Sequence, residues 1–254
     1  RAAWRAVGDG QRVMSAPIAV TVRAHAKINL DLRVLGVRPD GFHELRTVFQ
    51  AISLHDTLAC VPREGPFAVE CSAAGVPLDH TNLIWRAADV LWRALRRAGP
   101  ARDMVVRLEK RIPLQAGLGG GSADAAAALV GLAHAWRVPL RPTQLTDVAA
   151  GLGADVPFFL TGGTALGLGR GDEIYPLADL PCHWIVLLLP GFGVSTGEAF
   201  GWYNAERDLA RVLFPRSEPF LIENMVDELH TRSEGVRHTM ELVFHLGGGN
   251  TDGR

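Results

Sequence analysis

A chain of 254 residues, 48% hydrophobic and with a formal net charge of −1, is long enough to bury a full core as one large or two small domains. The near-neutral balance offers no basic surface of the kind nucleic acid requires, and no apolar run reaches the roughly 20 residues that cross a bilayer. Three irregularly spaced cysteines, Cys60, Cys71 and Cys182, exclude a disulfide framework or a metal site and point to a reducing cytoplasm.

Residues 1–13 (RAAWRAVGDGQRV) show no strand or helix period and no signal-peptide core. Met14 reads as a natural start, so residues 1–14 are expected to be an unstructured extension. Residues 18–24 alternate as a strand and residues 26–35 (AKINLDLRVL) continue it, with Ile28, Leu30, Leu32 and Val34 on one face. Lys27, Asn29, Asp31 and Arg33 then share the opposite face, either as a solvated row or as a row that carries chemistry. Of 26 basic residues only Lys27 and Lys110 are lysines, which marks them as positions where a compact, rotatable ammonium suits better than a planar guanidinium. Pro39-Asp40-Gly41 is a turn that delivers Phe42 and His43 to a hairpin tip before a strand over 45–54. An aromatic beside a histidine there can stack on and hydrogen-bond a flat ring; a satisfied surface histidine is the alternative. Residues 58–72 suggest two further strands. Residues 82–98 form an amphipathic helix with Leu83, Ala87, Val90, Leu91 and Leu95 inward, and 104–108 a strand.

The most informative stretch is 113–136, PLQAGLGGGSADAAAALVGLAHAW. Four glycines in five positions (Gly117, Gly119, Gly120, Gly121) can hold φ > 0 and bring the backbone close to a ligand. Ser122 reads as the N-cap of a helix over 123–136 that buries Ala125, Leu129, Leu132, Ala133 and Trp136 on one face. Unpaired amides and the positive dipole end converge at such a loop-to-helix junction, which makes it an anion site. It is not a Walker A loop, because no Gly-Lys-Ser/Thr closes it, and it lacks the later acid of a dinucleotide-binding unit. A glycine-rich turn before a packed alanine helix is the plainer reading.

Residues 143–152 read as a short helix stopped by Gly153. Asp155 follows, flanked by Val156, Pro157, Phe158 and Phe159; a carboxylate so shielded needs a cationic partner or a task, unless it is a cap or surface acid before a strand. Residues 161–168 are strand-like, 179–181 read as a linker at a domain boundary, and 184–189 as a buried strand. A loop then a helix over 193–204, capped by Ser195 or Thr196, and a helix over 220–229 complete the regular elements. The tail from 244 has no clear period.

Three motifs, AKINL with PDGFHEL (26–30 and 39–45), PLQAGLGGGSADAA (113–126) and GADVPFF (153–159), resemble in order and sequence the small-molecule kinases named for galactokinase, homoserine kinase, mevalonate kinase and phosphomevalonate kinase (GHMP). Within that superfamily the similarity is to the 4-diphosphocytidyl-2-C-methyl-D-erythritol kinases, over about residues 20–200. The resemblance implies an α+β fold. Residues 15–180 would form an ATP-binding, catalytic domain like domain 2 of ribosomal protein S5, and 181–254 a ferredoxin-like GHMP-kinase domain, atypical or truncated after about 231, where the usual third glycine motif is missing. It implies ATP, with Mg²⁺, as co-substrate, held by Pro113, Leu114, Gln115, Ala116, Gly117, Leu118, Gly119, Gly120, Gly121, Ser122 and Ala123, with Asn82, Leu83 and Lys110 near the nucleotide. Lys27 and Asp155 match the catalytic pair. Asn29, Phe42, His43, Thr196 and Phe200 match positions that hold a small cytidine-diphosphate-linked substrate, with Phe42 and His43 at the cytosine. No nucleic acid, membrane or resident metal is expected. Another GHMP kinase, or a nucleotide-binding remnant without activity, are the alternatives.

Overall fold

The computed structural model describes residues 18–138, 141–189 and 199–205. The proposed extension, Thr196, the helix over 220–229 and the tail lie outside the described residues. Ten elements run in the order β1 (Val20–Val37), β2 (His43–Pro66), β3 (Ala68–Cys71), α1 (Leu83–Ala94), β4 (Arg102–Glu109), α2 (Gly120–Ala135), α3 (Pro142–Leu152), α4 (Val156–Thr161), β5 (Thr164–Gly169) and β6 (Glu173–Pro176). Residues 199–205 are helical.

Strand β2 organises the sheet. One edge pairs antiparallel with β1 along most of its length; the other pairs with β5 through residues 45–50 and with β4 from residue 57 onward. The path across the sheet is β3-β4-β2-β5-β6, and β3 lies parallel to β4. Where the residue pattern suggests two strands, β2 is one strand of 24 residues, far beyond the usual ~3–10. It achieves this by bulging: Ala51 pairs with Lys27 and His55 with His25, so Ile52, Ser53 and Leu54 oppose Ala26 alone. A second irregularity inserts Leu30 into β1 between the pairs Asn29–Phe49 and Asp31–Val48. Neither bulge has a glycine or proline to announce it.

Helix α2 is the centre of the core. Its alanines favour helix and present almost no bulk, so it is buried on nearly every side rather than along one face. It packs against β1, β2, α1, α3 and α4. It approaches the sheet closely at Gly131, where an added Cβ would lie 2.9 Å from Cys60 Sγ and 3.2 Å from Val22. Burial there pushes the Cys60 thiol up to about 12. Helix α2 also begins earlier than the sequence suggests. Gly119, at φ 70°, is the capping residue and its carbonyl accepts from Ala123 N, which leaves Ser122 inside the first turn.

Two other expectations are corrected. Val156–Thr161 is a helix, so Asp155 precedes α4 and not a strand; Pro157 is tolerated there because first-turn amides have no partner to lose. Residues 184–189 have no strand partner among the described residues. Ile185 and Leu187 pack on the Ala26, Ile28, Ile112 and Leu118 cluster, whereas Trp184 is 98% exposed and Val186 and Leu188 face outward. β6, too short and mixed to show a period, is an element the sequence pattern does not reveal.

Candidate active site

Lys27 and Asp155, 128 positions apart, meet: Nζ lies 3.8 Å from Asp155 Oδ2. Lys27 is not part of a solvated row. Its backbone N–H donates to Leu118 O at 3.0 Å, tying β1 to the glycine loop, and its stem runs so close to Gly119 that a Cβ there would lie 3.1 Å from Lys27 Cγ. The ammonium is 5.6 Å from the centre of the Phe49 ring and donates to Asn29 Oδ1 at 2.6 Å. Burial pulls its pKa below the ordinary 10.5, opposed by the charge of Asp155. Asp155 makes no capping bond to α4, and its side chain is 37% exposed against 8% for Lys27. The pair therefore has a buried cationic end and an accessible carboxylate.

The glycine loop flanks this pair. Gln115, Gly117 and Gly119 all have left-handed φ, and Gly119 has no room for a side chain, since its Cβ would fall 2.6 Å from Phe159 Cζ. Gly117 and Gly121 are exposed, Leu118 and Ala123 buried. Leu114 is exposed and close to Gly75 on the approach to α1; Pro113 and Ala116 are half-buried. Asn82 caps α1, accepting from Ile84 N at 2.9 Å and donating to Pro77 O at 2.7 Å, so its amide is occupied locally; Leu83 opens the helix behind it.

Lys110 turns inward rather than toward the loop surface. Its ammonium donates to Asp56 Oδ2 at 2.5 Å and Asp124 Oδ2 at 2.8 Å, and all three groups are buried. Asp56 Oδ1 accepts from the backbone of Arg111 and Ile112, the residues that enter the loop. Asp124 Oδ1 has no partner among the described residues. Burial raises the Asp124 carboxyl to about 7 despite Lys110, with Asp56 adding to the rise. Burial alone would lower Lys110, but its two carboxylates outweigh it and hold it above 10.5. Gly120 lies directly over this cluster, its absent Cβ 2.9 Å from Lys110 Nζ. Sequence reasoning missed both acids. The available signal for Asp124 was a lone carboxylate within an alanine helix whose neighbours must be buried.

Phe42 and His43 stand at the hairpin end, as expected. Phe42 is exposed, and the Arg170 guanidinium, held by Asp172, lies 5.1 Å from its ring centre. The His43 ring stacks on Phe200, with centroids 4.3 Å apart and planes 12° from parallel, and its Nε2 is 2.8 Å from Asn204 Oδ1. Residues far apart in sequence thus form an aromatic pair, to which Asn204 adds a partner the motifs do not contain. A cavity of about 410 Å³ lies between β1, β2, α2 and α4, lined by Ala51, Ile52, Ala126, Ala127, Val130 and Phe159 among others. Its polar lining is Arg23, His25 and Ser53, and it contains neither Lys27 nor Asp155, so the charged pair at the glycine loop is the better candidate site.

Residues 82–163 match the family described as GHMP kinases N terminal domain, the class of protein that this sheet and glycine loop define. The 4-diphosphocytidyl-2-C-methyl-D-erythritol kinase of Salinispora arenicola is 45% identical over 219 residues, covering 84% of this chain and 67% of the relative. That of Pelotomaculum thermopropionicum is 48% identical over 185 residues, covering 72% and 63%. The crystal structure of a 4-(cytidine 5'-diphospho)-2C-methyl-D-erythritol kinase superposes with a TM-score of 0.59 at 38% identity, over 72% of this chain and 63% of the other. The chain belongs to the 4-diphosphocytidyl-2-C-methyl-D-erythritol kinase family. It spans about three fifths of the length of the first relatives it matches.

Proposed function

We propose that this chain transfers the γ-phosphoryl group of ATP to the C2 hydroxyl of 4-diphosphocytidyl-2-C-methyl-D-erythritol, a cytoplasmic step in the non-mevalonate route to isoprenoids. The observation that carries the reading is the Lys27–Asp155 pair beside a glycine loop that has no space for a side chain at Gly119. Phosphoryl transfer passes through a loose transition state and depends on positioning and charge more than on covalent help. Loop amides from 113–123 and the N-terminus of α2 would carry the phosphates, and Mg²⁺ would arrive with the nucleotide. Asp155, the exposed partner, would take the proton of the attacking hydroxyl. Lys27 would hold the Asp155 side chain by its charge and offset charge on the transferring group.

The base end of the substrate is assigned to Phe42, His43 and Phe200. With Asn204 Oδ1 accepting from Nε2, the His43 tautomer carries a lone pair on Nδ1, suited to the amino group of cytosine. A pocket built around that bond discriminates strongly against substrates lacking the base. Residues 15–180 would be the S5-like unit of this enzyme and 181–254 its second, ferredoxin-like unit.

The test is ADP release with the diphosphocytidyl substrate. Asp155→Asn should lose turnover by about 10²-fold or more while still binding ATP. Lys27→Arg should lose a similar factor, because a planar fork cannot occupy the slot beside Gly119. Unchanged turnover in Asp155→Asn overturns the assignment, and ATP binding without any turnover of the unmutated chain would mark it as a nucleotide-binding remnant.

A further inference from the structure

Thr47 is a buried polar side chain on β2, 1% exposed. Its hydroxyl donates to Asp31 O at 2.7 Å, a carbonyl brought within reach by the extra residue Leu30 in β1. A hydroxyl has one hydrogen, so toward its other neighbour it can only accept. That neighbour is Asn29, whose Nδ2 donates to Thr47 Oγ1 at 2.6 Å. The amide is thereby fixed with its NH₂ on Thr47 and its oxygen on the Lys27 ammonium, 2.6 Å away. The methyl of Thr47 has a fixed place as well. It faces Gly167 of β5, the cross-strand partner of Thr47, where an added Cβ would be 3.0 Å from Thr47 Cγ2.

We propose that Thr47 is a positioning residue: its hydroxyl sets the direction of the Asn29 amide, and Asn29 in turn holds the Lys27 ammonium in register with Asp155. The chain Asp31 carbonyl, Thr47, Asn29, Lys27 runs in a single donor direction, and reversing any one link leaves two donors or two acceptors face to face. The charged groups around Lys27 among the described residues are few. Asp155 approaches from the start of α4, and Asp31 on its own strand is engaged by Arg33 at 3.3 Å. β2 contributes the neutral Phe49 and Thr47, and the loop contributes Leu118 and Gly119. Asn29 therefore supplies the principal neutral support of the ammonium.

The inference rests on the kinase reading only for its consequence in catalysis; the relay itself is testable without turnover. The sequence contains two lysines, so protein labelled with ¹³C at lysine Cε gives two signals, assigned with Lys27→Met. In the unmutated chain the Lys27 signal should titrate below 10.5. In Thr47→Val it should titrate about one pH unit lower still, because the freed amide no longer supports the charge. Thr47→Ser should restore the original value, and Thr47→Val should add nothing to Asn29→Ala. The Lys110 signal should stay in place throughout and serves as the folding control; should Val not be tolerated, Thr47→Ala reads the same quantity. A Lys27 titration unchanged in Thr47→Val or Thr47→Ala, with Lys110 undisturbed, overturns the proposal even if the phosphoryl-transfer assay succeeds. Failure of that assay with the relay intact overturns only the function.

Discussion

The chain's two lysines both end inside the protein, and their surroundings push them in opposite directions. Lys27 faces one partly exposed carboxylate and loses more to burial than it gains; Lys110 faces two buried carboxylates and gains more than it loses. Burial, with Asp56 adding its charge against a single shared ammonium, makes Asp124 hold its proton up to about 7. The sign for stability follows. Between the unfolded value near 3.8 and about 7 the folded chain binds a proton that the unfolded chain has released, so the contribution of Asp124 is complete in acid and is lost as pH rises through 7. Asp124→Asn removes this dependence while keeping an acceptor for Lys110. Chemical denaturation should find the unmutated chain losing stability relative to Asp124→Asn between about pH 4 and about pH 8. A constant difference across that range would refute the assignment.

At the scale of elements, the glycine loop is where backbone conformation and close packing coincide. Gly119→Ala places a β-carbon at φ 70° and against Phe159, whereas Gly121→Ala meets nothing within 4 Å. The first should cost about 1–2 kcal/mol from backbone strain alone and weaken ATP binding; the second should leave stability unchanged or slightly higher. Thermal melts with and without ATP separate the two. This junction also shows what could be read from residue order. Glycine density and the alanine run announced a loop feeding a helix, because both reflect local backbone preference. The start of the helix was misread, since Ser122 has the chemistry of a cap but Gly119 has the conformation. Segment 184–189 is an apolar run of strand length, yet pairing is a property of neighbours, and among the described residues it has none.

On the scale of the whole molecule, β2 connects distant parts of the site. Its first half carries His43, Thr47 and Phe49, and its second half carries Asp56 and Cys60. The separations explain what the sequence concealed. Lys27 and Asp155 could be suspected from motifs, whereas Asp56 with Lys110, or His43 with Asn204, are 54 and 161 positions apart with no local mark of their meeting. Single strands and helices were legible because period and glycine placement are local, the mixed α and β fold followed from the motif resemblance, and Asp56, Asp124 and Asn204 were not legible because tertiary packing alone selects them as partners.

The seat of α2 on β2 at Gly131 has a practical use. Cys182 is exposed, while Cys60 is buried under the helix with a thiol that resists ionisation. An alkylating reagent should therefore modify Cys182 within the native protein and reach Cys60 only when the helix lifts away, so the growth of Cys60 adducts in a mass spectrum clocks the opening of the core. Gly131→Ala, which inserts a methyl into that seat, should make the clock run faster.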